Sequence, residues 1–273
     1  RDSYERRFIM TFPNETLPKG RKQKTTALYD RFVNQGAVMG DSFGLENVLW
    51  FANNKEDAHE ETNIKRSRSH DYVSKEVINV RENVGLIEVA NFSKHEFKGP
   101  DARKFLDHIM AGRLPKPGRI TLSPKLSYRG KLCGDLTVAC LDENEFMVFG
   151  SGAAQEMHRR WFESHIDKFN LSYSNRSDEY HGLSIAGPNS RKVLEKIVRD
   201  DVSNEKFKFR DSRRMFVGGV PAMINRISFT GELGYEIYVA PHYQLKLYEE
   251  LMEAGKEFNI KPFGGRALMS MRL

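Results

Sequence analysis

The fold of this chain is decided by one stretch, NRISFTGELGYEIYV, which spans residues 225–239. Apolar and polar residues alternate over residues 220–229 and again over 235–239, and this period of two predicts β-strands. The glycine-containing segment 230–234 supplies a turn between them. Arg226 interrupts the first predicted strand. It is either a charge that reaches water at a sheet edge or a guanidinium held for a partner, and the stretch alone leaves both readings open.

Length and composition narrow the class of protein. The chain has 273 residues, which is enough for one large domain or two packed subdomains around a substantial core. No apolar run approaches the roughly 20 residues of a membrane-spanning helix, so we expect no membrane-embedded segment. The formal charge of +6 fits an anionic ligand, a nucleic acid or merely a solvated surface. Charge therefore does not choose among these partners.

The cysteines and histidines argue against disulfides and metal sites. Cys133 and Cys140 lie on one predicted strand at an odd spacing, so their side chains should point to opposite faces. The eight histidines form no spacing typical of a zinc site. We therefore predict no disulfide and no structural metal, and a reducing compartment fits this cysteine content.

A segment of the chain is repeated. KGPDARKFLDHIM, residues 98–110, aligns with AGPNSRKVLEKIV, residues 186–198, and both follow a short predicted strand and precede further strands. The simplest fold for such a duplication is two antiparallel sheets, each with helices on one face. The two pseudo-repeats would cover about 85–150 and 180–260. Common packing demands on unrelated helices are the alternative explanation.

Each repeat places one charge in a late strand. Asp135 interrupts the strand GKLCGDLTV, residues 130–138, much as Arg226 interrupts its own strand. The two side chains could form a salt bridge between the halves, or they could hold a ligand through one anion and one cation. Both interpretations predict that Asp135 and Arg226 are buried.

The ends of the chain resemble cut points more than natural termini. Residues 1–24 are polar and contain two prolines and a glycine, which predicts an extended connector to an absent N-terminal domain. The main domain would cover residues 25–273. The sequence begins without methionine at Arg1 and stops at Leu273 within a predicted helix, so we expect a piece of a longer polypeptide.

Several motifs, distributed along nearly the whole chain, resemble those of one protein family and occur in the same order as in that family. The turn segment 228–236, the strand 130–138 and the two Gly-Pro helices resemble the folate-binding domain of the glycine-cleavage T-protein, an aminomethyltransferase. Other motifs are similar, more narrowly, to the C-terminal half of FAD-dependent dimethylglycine and sarcosine dehydrogenases. These motifs are TALYD (26–30), GAVMG (36–40), LWFA (49–52), VGLI (84–87) and FGSGA (149–153).

The resemblance implies a fold and a function. The fold would be α+β and T-protein-like, with two ferredoxin-like subdomains whose antiparallel sheets surround a central pocket for tetrahydrofolate. In relatives, an FAD domain oxidises an N-methyl amine to an iminium, and the folate domain captures the one-carbon unit as methylenetetrahydrofolate. The FAD would lie in a domain upstream of this chain, and the family's final barrel subdomain would follow it. The chain would be an incomplete enzyme of the bacterial cytoplasm or the mitochondrial matrix.

The resemblance also assigns site residues. Asp135 matches the family's strand aspartate near the reactive pterin nitrogen, where a carboxylate can stabilise developing positive charge or take a proton. Arg226 matches the arginine before the family's Thr-Gly-Glu turn and would hold polar groups of folate. Tyr235, Glu236 and Phe149 are the other predicted cofactor-binding residues.

One position departs from the T-protein pattern, and two other functions stay open. T-proteins carry a pterin-reading glutamate where this chain aligns Met215, so other groups would have to recognise the pterin. A flavin-independent folate methyltransferase or demethylase acting on a sulfonium compound would use the same pocket. A tRNA-binding module of the same fold is less favoured, because the basic residues are scattered among acidic ones.

Overall fold

The computed structural model of the chain describes residues 2–10, 12, 15, 19–61 and 64–272. Part of the predicted connector, residues 1–24, therefore lies outside the described residues. The helices are α1 (Asp2–Glu5), α2 (Tyr29–Asn34), α3 (Ser69–Glu82), α4 (Ala102–Ile109), α5 (Gln155–Glu163), α6 (Ser190–Ile197), α7 (Gln244–Ala254) and α8 (Gly265–Met271). None of these described helices combines the length and apolarity that a bilayer crossing needs.

Among the described residues, the strands form one hairpin and two larger sheets. In chain order they are β1 (Ala37–Ser42), β2 (Leu45–Phe51), β3 (Val84–Glu88), β4 (Phe92–Lys98), β5 (Arg119–Leu126), β6 (Leu132–Asp142), β7 (Glu145–Ser151), β8 (Ser172–Asn175), β9 (His181–Ala186), β10 (Ser212–Val217), β11 (Val220–Asn225), β12 (Gly234–Val239) and β13 (Ile260–Pro262). The hairpin pairs β1 with β2.

The two larger sheets have matching topologies. The five-stranded sheet has the order β5-β6-β7-β4-β8, and the six-stranded sheet has the order β10-β11-β12-β9-β3-β13. All neighbouring strands are antiparallel except β13, which runs parallel to β3. All five strands of the first sheet lie in the chain between β3 and β9, which are neighbours in the second. Each sheet thus contains the same strand–helix–strand–strand–strand unit.

The inner faces of the two sheets pack against each other, and helices cover the outer faces. One core joins α6 and α7 to the six-stranded sheet, and another joins α4 and α5 to the five-stranded sheet. A third core lies between the sheets and contains residues of both, among them Ile87, Met147, Phe149, Met223 and Tyr238. This arrangement confirms the predicted α+β fold of two largely antiparallel sheets, each with helices on one face.

The repeated Gly-Pro segments form equivalent turns and helices. α4 and α6 begin at the same distance after Gly99 and Gly187, as the alignment of the repeats predicts. Both glycines have positive φ angles, 136° and 129° respectively, which residues with a side chain rarely adopt. A Cβ atom on Gly187 would lie 2.5 Å from the carbonyl oxygen of Val80. The glycine therefore allows the chain to pass directly against the end of α3.

One strand is shorter than the sequence predicts. Alternation predicts a strand as far as Phe229, but β11 ends at Asn225, and Arg226 lies beyond it. The N–H of Arg226 donates to the carbonyl of Asp211 at 2.8 Å, and its own carbonyl accepts from the N–H of Arg210 at 3.0 Å. These two bonds extend the pairing with the β10 side by one residue. The prediction was wrong because the chain turns there: the N–H of Ile227 donates back to the carbonyl of Asn225 at 3.0 Å, which ends the pairing with β12.

Candidate active site

A cavity of 860 Å³ opens between the inner faces of the two sheets. Its volume falls in the range of about 300–1,000 Å³ that is usual for small-molecule sites. β6 and β7 of the first repeat contribute Asp135, Thr137 and Phe149, and β12 of the second repeat contributes Glu236 and Tyr238. Both halves of the duplicated fold therefore build one site.

Asp135 projects an exposed carboxylate into this cavity. Its neighbours Leu136 and Val138 pack on the outer face against the helices, so Asp135 and Thr137 face inward by the alternation of a strand. The structure describes no hydrogen bond or ion pair between Asp135 and another described residue, Arg226 included. The expectation that Asp135 is buried was wrong, because the cavity opens to solvent where β6 crosses it.

Glu236 forms a buried acidic group in the cavity wall. Its side chain is 7% exposed, and the hydroxyl of Tyr238 donates a hydrogen bond to its Oε2 at 2.8 Å. Burial raises the pKa of Glu236 to about 7, whereas the Tyr238 hydrogen bond and the positive charge of Lys94 lower it. The carboxyl group can therefore exchange a proton near neutral pH.

Aromatic rings form the wall beside these acids. The rings of Phe149 and Tyr238, which come from different sheets, lie with centroids 4.7 Å apart and an interplanar angle of 30°. Both residues are at most 5% exposed and belong to the core between the sheets. This pair gives the cavity a rigid apolar surface next to Glu236, which suits a flat heteroaromatic ligand.

Arg226 and Tyr235 do not line the cavity. The guanidinium of Arg226 donates to Asn204 Oδ1 at 2.6 Å and to the carbonyl of Phe207, and the residue is 8% exposed. The Tyr235 hydroxyl accepts from Arg191 Nε at 3.2 Å, and its ring stacks on Phe207. The structure thus brings together three predicted site residues, Asp135, Phe149 and Glu236, and places these two on the helix-covered side of the six-stranded sheet.

Two cavity-lining cations escaped the sequence analysis. Arg210 donates from Nε to the carbonyl of Ile120 at 3.0 Å, which fixes it at the junction of the two sheets. The Arg272 guanidinium lies 3.6 Å from the centroid of the Phe229 ring. Neither residue follows a strand period, so no pattern in the sequence marks them. Tyr238 was also missed, although its spacing of two from Glu236 places it on the same face.

Met215 lies away from this cavity. It is 7% exposed in β10 and lines a smaller space of 420 Å³, together with Met147, Phe216 and Met223. The two cavities share the side chain of Tyr238. The position aligned with the pterin-reading glutamate therefore places the apolar thioether of Met215 in the smaller cavity. It supplies no carboxyl group to the 860 Å³ cavity.

The described residues contain neither a disulfide nor a cluster of potential metal ligands. No cluster of three or more His, Cys, Asp or Glu side chains among the described residues could hold a metal ion. Cys133 and Cys140 are both free thiols. The side chains that line the cavity include carboxylates, guanidinium groups and aromatic rings.

The fold and the cavity define a class of domain: a duplicated α+β domain with a ligand-sized cavity between its two repeats. The family model of the GCVT N-terminal domain matches residues 28–273 of the chain. The chain belongs to this family. It is 34% identical over 277 residues to mitochondrial dimethylglycine dehydrogenase of Mus musculus, covering 100% of the chain and 32% of that protein. It is 30% identical over 258 residues to sarcosine oxidase subunit alpha of Rhizobium meliloti, covering 92% of the chain and 25% of that protein.

A solved structure shows the same fold. The glycine cleavage system aminomethyltransferase T from Bartonella henselae matches with a TM-score of 0.76 at 22% identity, covering 92% of this chain and 62% of that one. These comparisons confirm the resemblance to T-protein and to dimethylglycine and sarcosine dehydrogenases, and they confirm the T-protein-like fold. The chain spans about a third of the length of its dimethylglycine dehydrogenase relatives.

Proposed function

We propose that the cavity between the sheets binds tetrahydrofolate and that Asp135 assists the transfer of a one-carbon unit from an iminium, which yields methylenetetrahydrofolate. One observation carries this proposal. The unpaired carboxylate of Asp135 and the buried carboxyl of Glu236, one from each repeat, line a single cavity that also presents Phe149. The iminium would come from an FAD domain elsewhere in a longer polypeptide. This part of the proposal is supported by relatives that are named as a dehydrogenase and an oxidase subunit.

The residues present fit tetrahydrofolate. Its pterin ring is flat and carries several N–H donors, which suit the aromatic surface of Phe149 and Tyr238 and the acceptor oxygens of Glu236. Its carboxylates suit a guanidinium, and Arg210 and Arg272 both line the cavity. The acidic and basic groups of the cavity thus match the two chemically different ends of one ligand.

Asp135 can manage both charge and protons during the transfer. When a folate nitrogen attacks the iminium carbon, that nitrogen gains positive charge, and a nearby carboxylate stabilises it. Overall, the two folate N–H bonds are replaced by bonds to the transferred carbon, and the two protons leave with the departing amine. Asp135 would accept a proton from nitrogen and return it to that amine.

Replacement of Asp135 by asparagine tests this role. We expect Asp135→Asn to lower the rate of methylenetetrahydrofolate formation by at least about 100-fold, because an amide neither accepts the proton nor stabilises the charge. Tetrahydrofolate affinity, measured by titration calorimetry, should change only a few-fold. Asp142→Asn, the same change at the exposed end of the same strand, is the matched control. An unchanged rate in Asp135→Asn, or no tetrahydrofolate binding by the full-length protein, would overturn the proposal.

The cell compartment follows from the proposed relationship. The named relatives include mitochondrial and bacterial proteins, so we infer the mitochondrial matrix or the bacterial cytoplasm as the site of action.

A further inference from the structure

Lys94 is a fully buried lysine on the inner side of β4. Its Nζ donates to the carbonyl oxygens of Phe92 at 2.7 Å, Ala90 at 3.0 Å and Ser177 at 3.4 Å. A lysine ammonium has three N–H donors, and these three carbonyls use all of them. The Nζ atom is therefore fixed in position, and in its protonated form it carries its charge there without an ion pair to a described carboxylate.

A chain of contacts leads from this ammonium to the cavity. Lys94 Nζ lies 5.9 Å from the centroid of the Tyr238 ring, at the outer range of a cation–π contact. The Tyr238 hydroxyl donates to Glu236, and the Tyr238 ring packs on Phe149. Tyr238 thus contacts two other cavity-lining residues, Glu236 and Phe149, and its ring lies beside the Lys94 ammonium.

The electrostatic surroundings couple the same groups. Burial lowers the pKa of Lys94 to about 7. The negative charges of Asp178, Glu88 and Glu236 favour the charged form of Lys94, and Lys24 opposes it. In turn, the charge of Lys94 lowers the pKa of Glu236, which burial raises. The other titratable groups that Lys94 influences are Glu88, His95 and His181.

We propose that Lys94 is a positioning residue of the cavity: its fixed ammonium holds the Tyr238 ring in place and keeps the Glu236 carboxylate able to accept hydrogen bonds from a ligand. The chemistry of the ligand rests on the proposed folate function. The link between Lys94 and Glu236 is independent of it, because it depends only on contacts and charges within the protein. Lys94 itself touches no cavity space, since Tyr238 lies between them.

The chain offers a matched control in a second buried lysine. Lys125 is 1% exposed, but it lies on the outer side of β5, where Nζ meets His158 Nδ1 at 3.2 Å and the Trp161 ring at 5.0 Å. The five-stranded sheet separates this cluster from the cavity. Replacing either lysine removes one buried ammonium, but only Lys94 should affect Glu236.

The experiment is a carboxyl titration of the full chain by ¹³C NMR, with the Glu236 signal assigned through Glu236→Gln. In Lys94→Met, the titration midpoint of Glu236 should rise by about one pH unit, because burial then acts without the opposing positive charge. Lys125→Met should leave the midpoint in place. A Lys94→Met protein that keeps its near-UV circular dichroism and the original midpoint would overturn the inference.

Two further measurements keep the inference separate from the proposed function. If the Glu236 midpoint moves from about 7 to about 8, few Glu236 carboxyl groups are ionised at pH 7. Tetrahydrofolate affinity of Lys94→Met at pH 7 should therefore fall about five-fold. If the unchanged protein binds no tetrahydrofolate, the proposed function fails while the NMR titration still decides the role of Lys94. If Lys94→Met does not fold, Lys94→Gln replaces it, because its uncharged amide still has two N–H donors for these carbonyls. An unshifted midpoint in Lys94→Gln contradicts the inference.

Discussion

At the scale of single residues, the alternation of side chains along a strand places neighbouring residues of one sequence motif on opposite faces of the sheet. Tyr235 and Glu236 are neighbours in β12, yet Tyr235 packs toward the helices and Glu236 lines the cavity. Alternation also places Asp135 and Phe149 on inner faces, so these sites could be predicted from the sequence. The partners of Arg226, Asn204 and Phe207, belong to a loop whose position only the folded chain sets.

Arg226 gives a test at this scale. We expect Arg226→Lys to lower the free energy of unfolding by about 2 kcal/mol, because lysine cannot reproduce both the bond to Asn204 and the bond to Phe207 in this buried place. Urea denaturation measures the loss, and Arg199→Lys, at an exposed arginine, is the control. A variant of unchanged stability that has lost tetrahydrofolate affinity would instead support direct ligand contact by Arg226.

At the scale of helices and strands, regular patterns predicted the elements that carry the site. The Gly-Pro helices and the strands of the first repeat follow clear apolar periods, and the structure confirms them. The edge strands β8 and β13 escaped prediction. β8 consists of SYSN and has no buried residue, and β13 has only three residues. Such strands are defined by the neighbours with which they pair and not by their own sequence.

The equivalent glycines before α4 and α6 give a test at this scale. We expect Gly187→Ala to lower the free energy of unfolding by about 3 kcal/mol, because its φ of 129° strains any side chain and its Cβ would clash with carbonyl oxygens of α3 and its end. Gly130→Ala, at a φ of 71° with open space around it, should cost only about 1 kcal/mol. Chemical denaturation of both variants makes the comparison, and equal losses would refute the steric explanation.

At the scale of the whole molecule, the cavity belongs to neither repeat alone. Asp135 and Phe149 come from the first sheet, and Glu236 and Tyr238 come from the second. A ligand that contacts both walls must tie the two halves together. The described fold therefore predicts that binding and the relative order of the sheets are coupled.

Hydrogen exchange tests this coupling. Tetrahydrofolate at about 100 times its Kd should stabilise the folded protein by about 2.7 kcal/mol. Amide protons of both β6 and β12 should then exchange more slowly, because opening either sheet would release the ligand. Glu236→Gln, which retains the shape of the side chain, should weaken the effect in both strands together. Protection confined to one sheet would show that the ligand does not bridge the repeats.

The placement of the whole five-stranded sheet between β3 and β9 has a consequence for the order of folding. β3 and β9 pair side by side, as Gly85 with Ala186, although the complete first sheet separates them in the chain. As a disordered loop, that segment would make their meeting entropically costly. Once it has folded, it holds its two ends close together. We therefore expect the first repeat to fold early and to act as the template on which the second sheet assembles.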